Sequence, residues 1–191
     1  MPHPAHLRLR PKLLLAFGLV LALFAGAGAF AVRGLAAVSD ETSVIAARWL
    51  PSVERSGALI AAIADARIAQ YRHLASPTPP EMEAAEATAA RHAARVDSLR
   101  RDAGALAAGS TDANALLARF DAHWGEYRTH WARVREASAA GRKDDARTRM
   151  VGDARAAFDS AHAALDALVA HDRAGAEAAR RSVARTATTA R

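Results

Sequence analysis

Two histidines and a tyrosine in one segment are spaced as metal ligands could be. His123, Tyr127 and His130 fall near one helical face, at spacings of four and three, and that spacing can present two imidazoles to one metal ion. No H-E-x-x-H or E-x-x-H motif accompanies them, and Trp124 and Trp131 stand beside them, so packing is the expected role. His92 lies on an apolar helical stripe and is expected at a core boundary for the same reason. With no cysteine, the chain has no disulfide, thiolate nucleophile, Cys-based zinc site or covalent haem attachment. A G-x-S-x-G elbow and a P-loop are both missing, and Gly26-Ala27-Gly28 sits inside an apolar run rather than after a strand. The residues thus point to no enzyme, no catalytic residue, no metal site and no cofactor.

The elements that must position a binding site begin with that apolar run, Leu13 to Val32, preceded by Arg8, Arg10 and Lys12. Its twenty residues, at about 1.5 Å each, cover about 30 Å, the hydrocarbon thickness of a bilayer. A basic N-terminal flank favours a cytoplasmic N-terminus and puts everything after Arg33 across the membrane. A cleaved secretory signal is the alternative, since GAGAFA supplies small residues, but the run exceeds the roughly 7 to 15 residues of a signal core. The expected organisation is a cytoplasmic tail at 1–12, a transmembrane helix at 13–32 and a periplasmic domain at 33–191. Gly18, Ala22 and Gly26 recur every fourth residue, which suits either close helix approach or ordinary membrane-helix composition. The net charge of +6 includes four basic residues before position 40 and no acidic ones; the remainder carries 22 basic against 20 acidic. Nucleic acid is therefore not an expected partner.

Beyond the run, Pro and Gly punctuate the chain at SPTPP (76–80), at Gly109 and at Gly141. Between them apolar residues alternate at spacings of three and four, the pattern of helices packed at shallow angles. One stripe runs through Leu35, Val38, Thr42, Ile45, Trp49, Ser52, Ser56, Leu59, Ile63, Ala66 and Gln70; others run Met82, Ala85, Ala89, His92, Val96, Leu99, Ala103, Leu106, then Leu117, Phe120, Trp124, Tyr127, Trp131, Val134, and Val151, Ala154, Phe158, Ala161, Leu165, Leu168, followed by Gly175, Ala179 and Ser182. Thr78-Pro79-Pro80-Glu81 reads as a capping box, Gly109 and Gly141 as helix C-termini, and Asp144 with Asp145 as the acidic first turn of the last helix. Pro51 inside the first segment predicts a kink. The predicted fold is all-α: an antiparallel up-down-up-down four-helix bundle with helices near 35–75, 79–108, 112–140 and 142–189, its first helix continuous with the membrane helix.

The segment WLPSVERSGALIAAIADARIAQYRHLAS and its Pro-rich turn resemble the first helix of the four-helix-bundle sensor domain of methyl-accepting chemotaxis proteins. The last segment, from GRKDDARTRM through FDSAHAALDALVAHDRAGAEAA, is similar to the fourth helix of that domain, and the resemblance covers roughly residues 10–190. It implies a periplasmic sensory module in the inner membrane, dimerising as a homodimer through helices one and four. Small helix displacements would then cross the membrane in chemotaxis or related signalling. It implies a small-molecule ligand, an organic acid or amino acid, or a ligand-loaded binding protein. Because the same module occurs on histidine kinases and cyclic-dinucleotide enzymes, it implies no particular output. The chain departs from the family in having no second apolar run after HDRAGAEAARRSVARTATTAR, which reads as a receptor cut before its second span or a stand-alone sensor.

Family members that bind amino acids use arginines at the membrane-distal end of helix one and polar groups at the start of helix four. The matching positions are Arg67, Gln70, Tyr71 and Arg72, with Arg147, Thr148 and Arg149 opposite. A guanidinium fork offers two donors matched to a carboxylate, so a small organic acid is the expected guest; solvated surface charge is the alternative role for these arginines. Two functional classes follow: a solute-sensing receptor module, and a membrane-anchored structural or adaptor bundle without a ligand.

Overall fold

Alternating spacings of three and four become, in three dimensions, single buried faces on long helices. The computed structural model describes residues 14–15, 17–29 and 49–189, with side chains described as far as residue 185. The chain divides into two compact units, one of residues 1–45 with 178–191 and one of residues 46–177.

In the first unit, residues 14–15 and 17–29 are helical, and Leu14, Phe17, Leu19, Leu23 and Phe24 are all exposed. Among the described residues no helix is long and apolar enough to cross a membrane. The expected span at 13–32 and the expected continuous join to the bundle both include positions outside the described residues.

The second unit is the bundle. Its helices are α1 (Leu50–Ala75), α2 (Pro79–Leu106), α3 (Thr111–Ala139), α4 (Lys143–Val151) and, as far as residue 177, α5 (Asp153–Thr189), and the described residues contain no strand. Connections of three or four residues separate the first four, which forces each helix to turn back on its predecessor. α1 buries Ser56, Leu59, Ile63, Ala66, Gln70 and His73, the alternation read from the sequence. Val96, Leu99 and Ala103 of α2, Leu117, Phe120, Trp124, Tyr127 and Val134 of α3, Met150 of α4, and Phe158, Leu165 and Leu168 of α5 complete one continuous core. His92 sits at the boundary, half-buried.

The helix ends follow local chemistry. Pro79 and Pro80 open α2, where their missing N–H groups cost no helical bond, and the Thr78 N–H donates to Glu81 Oε2 at 3.4 Å. Ser110 Oγ accepts from the Ala113 N–H at 3.2 Å and caps α3. At its other end the Gly141 and Arg142 N–H groups donate to the Ser138 and Ala137 carbonyls at 3.1 and 3.0 Å, a Schellman motif with Gly141 at φ +77°. Pro51 lies in the first turn of the described α1; the residues through which a kink would propagate upstream lie outside the described ones.

The fourth helix departs from expectation. It is not continuous over 142–189 but breaks at Gly152, whose φ of −92° and ψ of −112° are not helical. The break loses little hydrogen bonding, because the Gly152 N–H still donates to Thr148 O at 3.0 Å and its carbonyl accepts from Ala156 N at 3.1 Å. It does shift the buried face: Met150 is in the core and Val151, assigned to the stripe from sequence, is 58% exposed.

A buried polar tie joins the first and last helices. The carboxylate of Asp172, only 2% exposed, accepts hydrogen bonds from the Ser52 and Ser56 hydroxyls at 2.7 and 3.2 Å.

Candidate functional site

The predicted binding residues lie near the end of the bundle where α1 finishes and α4 begins, but the arginines do not form one cluster. Arg67 projects from α1 toward α5. Its guanidinium carbon lies 4.2 Å from the centroid of the Phe158 ring, Nη1 stands 3.6 Å from Asp159 Oδ1, and Nη2 donates to the Tyr71 hydroxyl at 3.5 Å. With its side chain only 14% exposed, Arg67 is a packed cation held by an aromatic face and a carboxylate.

Gln70 turns inward. It is buried, and its Oε1 accepts from the hydroxyl of Tyr127, a residue wholly enclosed in the core. Burial raises the Tyr127 pKa well above its ordinary value; Arg67 opposes that shift and Tyr71 adds to it. Stacking with Trp124 at 5.1 Å and an edge contact with Phe158 at 5.4 Å between ring centroids fix the tyrosine ring.

Tyr71 is exposed and shares a shallow cleft of about 330 Å³ with Leu74 and Ala75 of α1 and Arg147 and Val151 of α4. Arg72 is exposed one residue further on, and its carbonyl accepts from the Ser76 N–H and hydroxyl. The α4 residues are tied to their own first turn: Arg147 Nη1 donates to Asp144 Oδ1 at 2.9 Å, the Thr148 hydroxyl to the Asp144 carbonyl at 2.9 Å, and Arg149 Nε to Asp145 Oδ1 at 2.7 Å.

Of the seven predicted residues, then, the structure brings Tyr71 and Arg147 together in one cleft. Arg67 reaches Tyr71 from the α5 side. Gln70 faces the core, while Arg72, Thr148 and Arg149 lie outside the cleft lining. Leu74 and Val151, which give the cleft its apolar floor, were not singled out as binding residues, and neither were Phe158 and Asp159, which seat Arg67. Each stood in the apolar or charged pattern of its helix without any signal that distinguished it.

The histidines are half-buried and separate from the tyrosine. Tyr127 points to Gln70, and His123 and His130 instead flank Glu126, at 3.7 and 3.9 Å from its carboxylate. Among the described residues no group of three or more His, Asp or Glu side chains is placed to hold a metal ion.

Compared with protein families, the chain matches the four helix bundle sensory module for signal transduction over residues 6–187. It belongs to that family. A comparison with curated proteins returned no match. The cleft of Tyr71 and Arg147 joins the first helix to the short α4, whose junction with α5 is the break at Gly152.

Proposed function

We propose that this sensory module is a membrane-anchored, chemoreceptor-type homodimer, with its N-terminus cytoplasmic and its bundle periplasmic. In this reading it binds a small extracytoplasmic organic acid or amino acid beside the dimer interface, or receives a ligand-loaded binding protein, for chemotaxis or related transmembrane signalling.

The observation that carries the reading is a second alternating stripe on α1, outside the core. Leu50, Val53, Gly57, Ala61, Ala64, Ile68, Tyr71 and Ala75 recur at spacings of three and four, and all are small or apolar apart from the tyrosine hydroxyl. Leu50, Ile68 and Tyr71 are 64, 53 and 40% exposed. A surface helix that needed only one buried face would carry polar residues there. Two seams on one helix are what a helix packed inside its own bundle and also against a second copy requires. On α5 the exposed positions Ala156, Ala163, Ala167, Ala170 and Ala174 are equally small, which suits close approach of the last helix as well.

The stripe ends in Tyr71 and Ala75, so the cleft with Arg147 opens beside the proposed dimer seam. A carboxylate entering it would exchange the surface ion pair of Arg147 with Asp144 for a pair with the ligand, a small cost because exposed pairs contribute only about 0–1 kcal/mol. The exposed apolar helix at 17–29 supports the anchor.

The test is thermal unfolding of the full chain in detergent with succinate, malate, aspartate and serine as probes. A guest at about 100 times its dissociation constant adds roughly 2.7 kcal/mol. Arg147→Ala is expected to remove that gain and Arg147→Lys to restore it only partly, since the charge stays but the fork is lost. No stabilisation by any of these probes would favour the structural bundle without a ligand.

A further inference from the structure

The short α4 lies between two glycines that are not helical, Gly141 at φ +77° and Gly152 at φ −92° and ψ −112°. It has nine residues and buries only Ala146 and Met150. What else fastens it to the bundle is its first residue. Lys143 Nζ donates to the Ser138 hydroxyl of α3 at 3.0 Å and to the Ser76 carbonyl at the end of α1 at 3.4 Å, and it touches Met82 Sδ of α2 at 3.0 Å. One ammonium thus ties α4 to the ends of three helices.

Behind that ammonium is a buried imidazole. His73 of α1 is 1% exposed and is braced by the Trp131 ring at 5.5 Å between centroids. Its Nε2 lies 3.0 Å from Ser138 Oγ, and its Nδ1 lies 3.4 Å from the Met82 carbonyl and 3.3 Å from Glu86 Oε1. These partners select the tautomer. Lys143 can only donate, so Ser138 Oγ accepts from it and turns its own proton to Nε2. The ring proton is then on Nδ1, where two acceptors face it. With the imidazole neutral, each polar atom from Lys143 through Ser138 to His73 has a partner.

A second proton on the ring can go only to Nε2, which becomes a donor. Ser138 Oγ then meets two cations, imidazolium and ammonium, each 3.0 Å away, and its own proton is left with Met82 Sδ at 4.0 Å, a weak acceptor. Like charges this close repel, and burial strengthens the repulsion. The remaining charged groups that face His73 decide which cation leaves. Glu86 of α2 lies against Nδ1 and holds the imidazolium, with Arg135 of α3 on its second oxygen at 3.7 Å. Lys143 is half-buried on a flexible stem, so its ammonium can turn out to water.

We infer that His73, Ser138 and Lys143 form a proton-operated latch on α4, closed while the imidazole is neutral and opened when protonation of His73 displaces Lys143 from Ser138. Imidazole is the side chain whose charge ordinarily changes between about pH 5 and 8, which suits it as the trigger. The two glycines let the segment between them move without disturbing α3 or α5. Arg147, one turn beyond Lys143, is carried with the helix, so opening alters the cleft it shares with Tyr71. That coupling rests on the ligand reading of the cleft; the latch itself does not.

The experiment uses the full chain in detergent micelles without ligand. Amide hydrogen exchange is read along the chain and corrected for the intrinsic effect of pH, and the His73 ring nitrogens are followed by NMR. Between about pH 8 and 5, protection of the amides of 146–151 is expected to fall at least about tenfold in step with the protonated fraction of His73, while the core amides of α1, α2 and α3 keep theirs. His73→Gln, which stays neutral and can still accept from Ser138, is expected to hold α4 protected throughout. Ser138→Ala, which removes the shared hydroxyl and leaves His73 free to titrate, and Lys143→Met, which removes the ammonium, are expected to leave α4 poorly protected at every pH. A fall that persists in His73→Gln, α4 protection that does not follow His73, or an equal fall in α2 and α3 would overturn the latch. So would a His73 that stays neutral across the range. If His73→Gln does not fold, Ser138→Ala decides, since an α4 that still responds to pH without the shared hydroxyl would overturn the latch as well. An α4 indifferent to pH leaves ligand binding at the cleft untouched, and a cleft that binds no carboxylate leaves the latch standing, so the two readings fail separately.

Discussion

Residue by residue, the interior is organised around Tyr127. Its ring is the largest fully enclosed side chain of the core, its hydroxyl is committed to Gln70, and burial holds its proton more tightly than water would. The sign of the resulting pH dependence follows from linkage. A tyrosine ionises near pH 10 in the unfolded chain but higher in the folded one. Above that pH the unfolded state has therefore lost a proton that the folded state keeps, and stability falls as pH rises. Below it the contribution is fully present. Tyr127→Phe is expected to cost about 1–3 kcal/mol at neutral pH by leaving Gln70 Oε1 unpaired. It should also flatten the decline of stability above about pH 10, as followed by urea unfolding at several alkaline pH values. An unchanged alkaline slope would show that Tyr127 ionises as easily in the fold as outside it. The burial of Gln70 was legible in the sequence, because the residue continues the stripe of Leu59, Ile63 and Ala66. The resemblance to the family placed it among binding residues, and the periodicity placed it in the core; packing follows the periodicity. That the buried Trp124 indole N–H has no hydrogen-bond partner among the described residues was not legible, because whether a donor finds an acceptor depends on side chains from three helices.

For the helices, position and packing face could be read from spacing, and most ends from capping chemistry. Gly141 was expected at a helix end and has the positive φ that makes a Schellman motif. The break at Gly152 was invisible because Gly inside a helical pattern is commonly tolerated and the hydrogen bonds on either side persist. The α4 arginines pair with aspartates three and four residues earlier, Arg147 with Asp144 and Arg149 with Asp145, an arrangement the sequence spacing permits without requiring. Two glycine substitutions separate conformation from packing. A Cβ at Gly141 or at Gly125 meets nothing within 4 Å, but only Gly141 has positive φ. Gly141→Ala is expected to cost about 1–2 kcal/mol, and Gly125→Ala, in the exposed interior of α3, to add up to about 1 kcal/mol. Thermal unfolding of both variants checks the pair, and the same sign for both would contradict the turn geometry.

At the level of the whole molecule, membership of the sensory family leaves a question of assembly. The bundle's own core accounts for one face of α1, and the exposed stripe from Leu50 to Ala75 remains to be covered. In the proposed function a second copy covers it, on the oxidising side of a membrane crossed by the apolar N-terminal run. Because the chain has no cysteine, one introduced cysteine reports without background. A disulfide persists only in an oxidising compartment and only where the two Cα atoms approach within about 7 Å. The most direct measurement is therefore non-reducing electrophoresis of washed membranes from cells producing the full chain with Ile68→Cys, beside Ala122→Cys on the exposed face of α3 as the comparison. The account predicts a reducible dimer for Ile68→Cys and a monomer for Ala122→Cys. A monomer from Ile68→Cys, or equal crosslinking of both, would contradict a periplasmic bundle paired through α1.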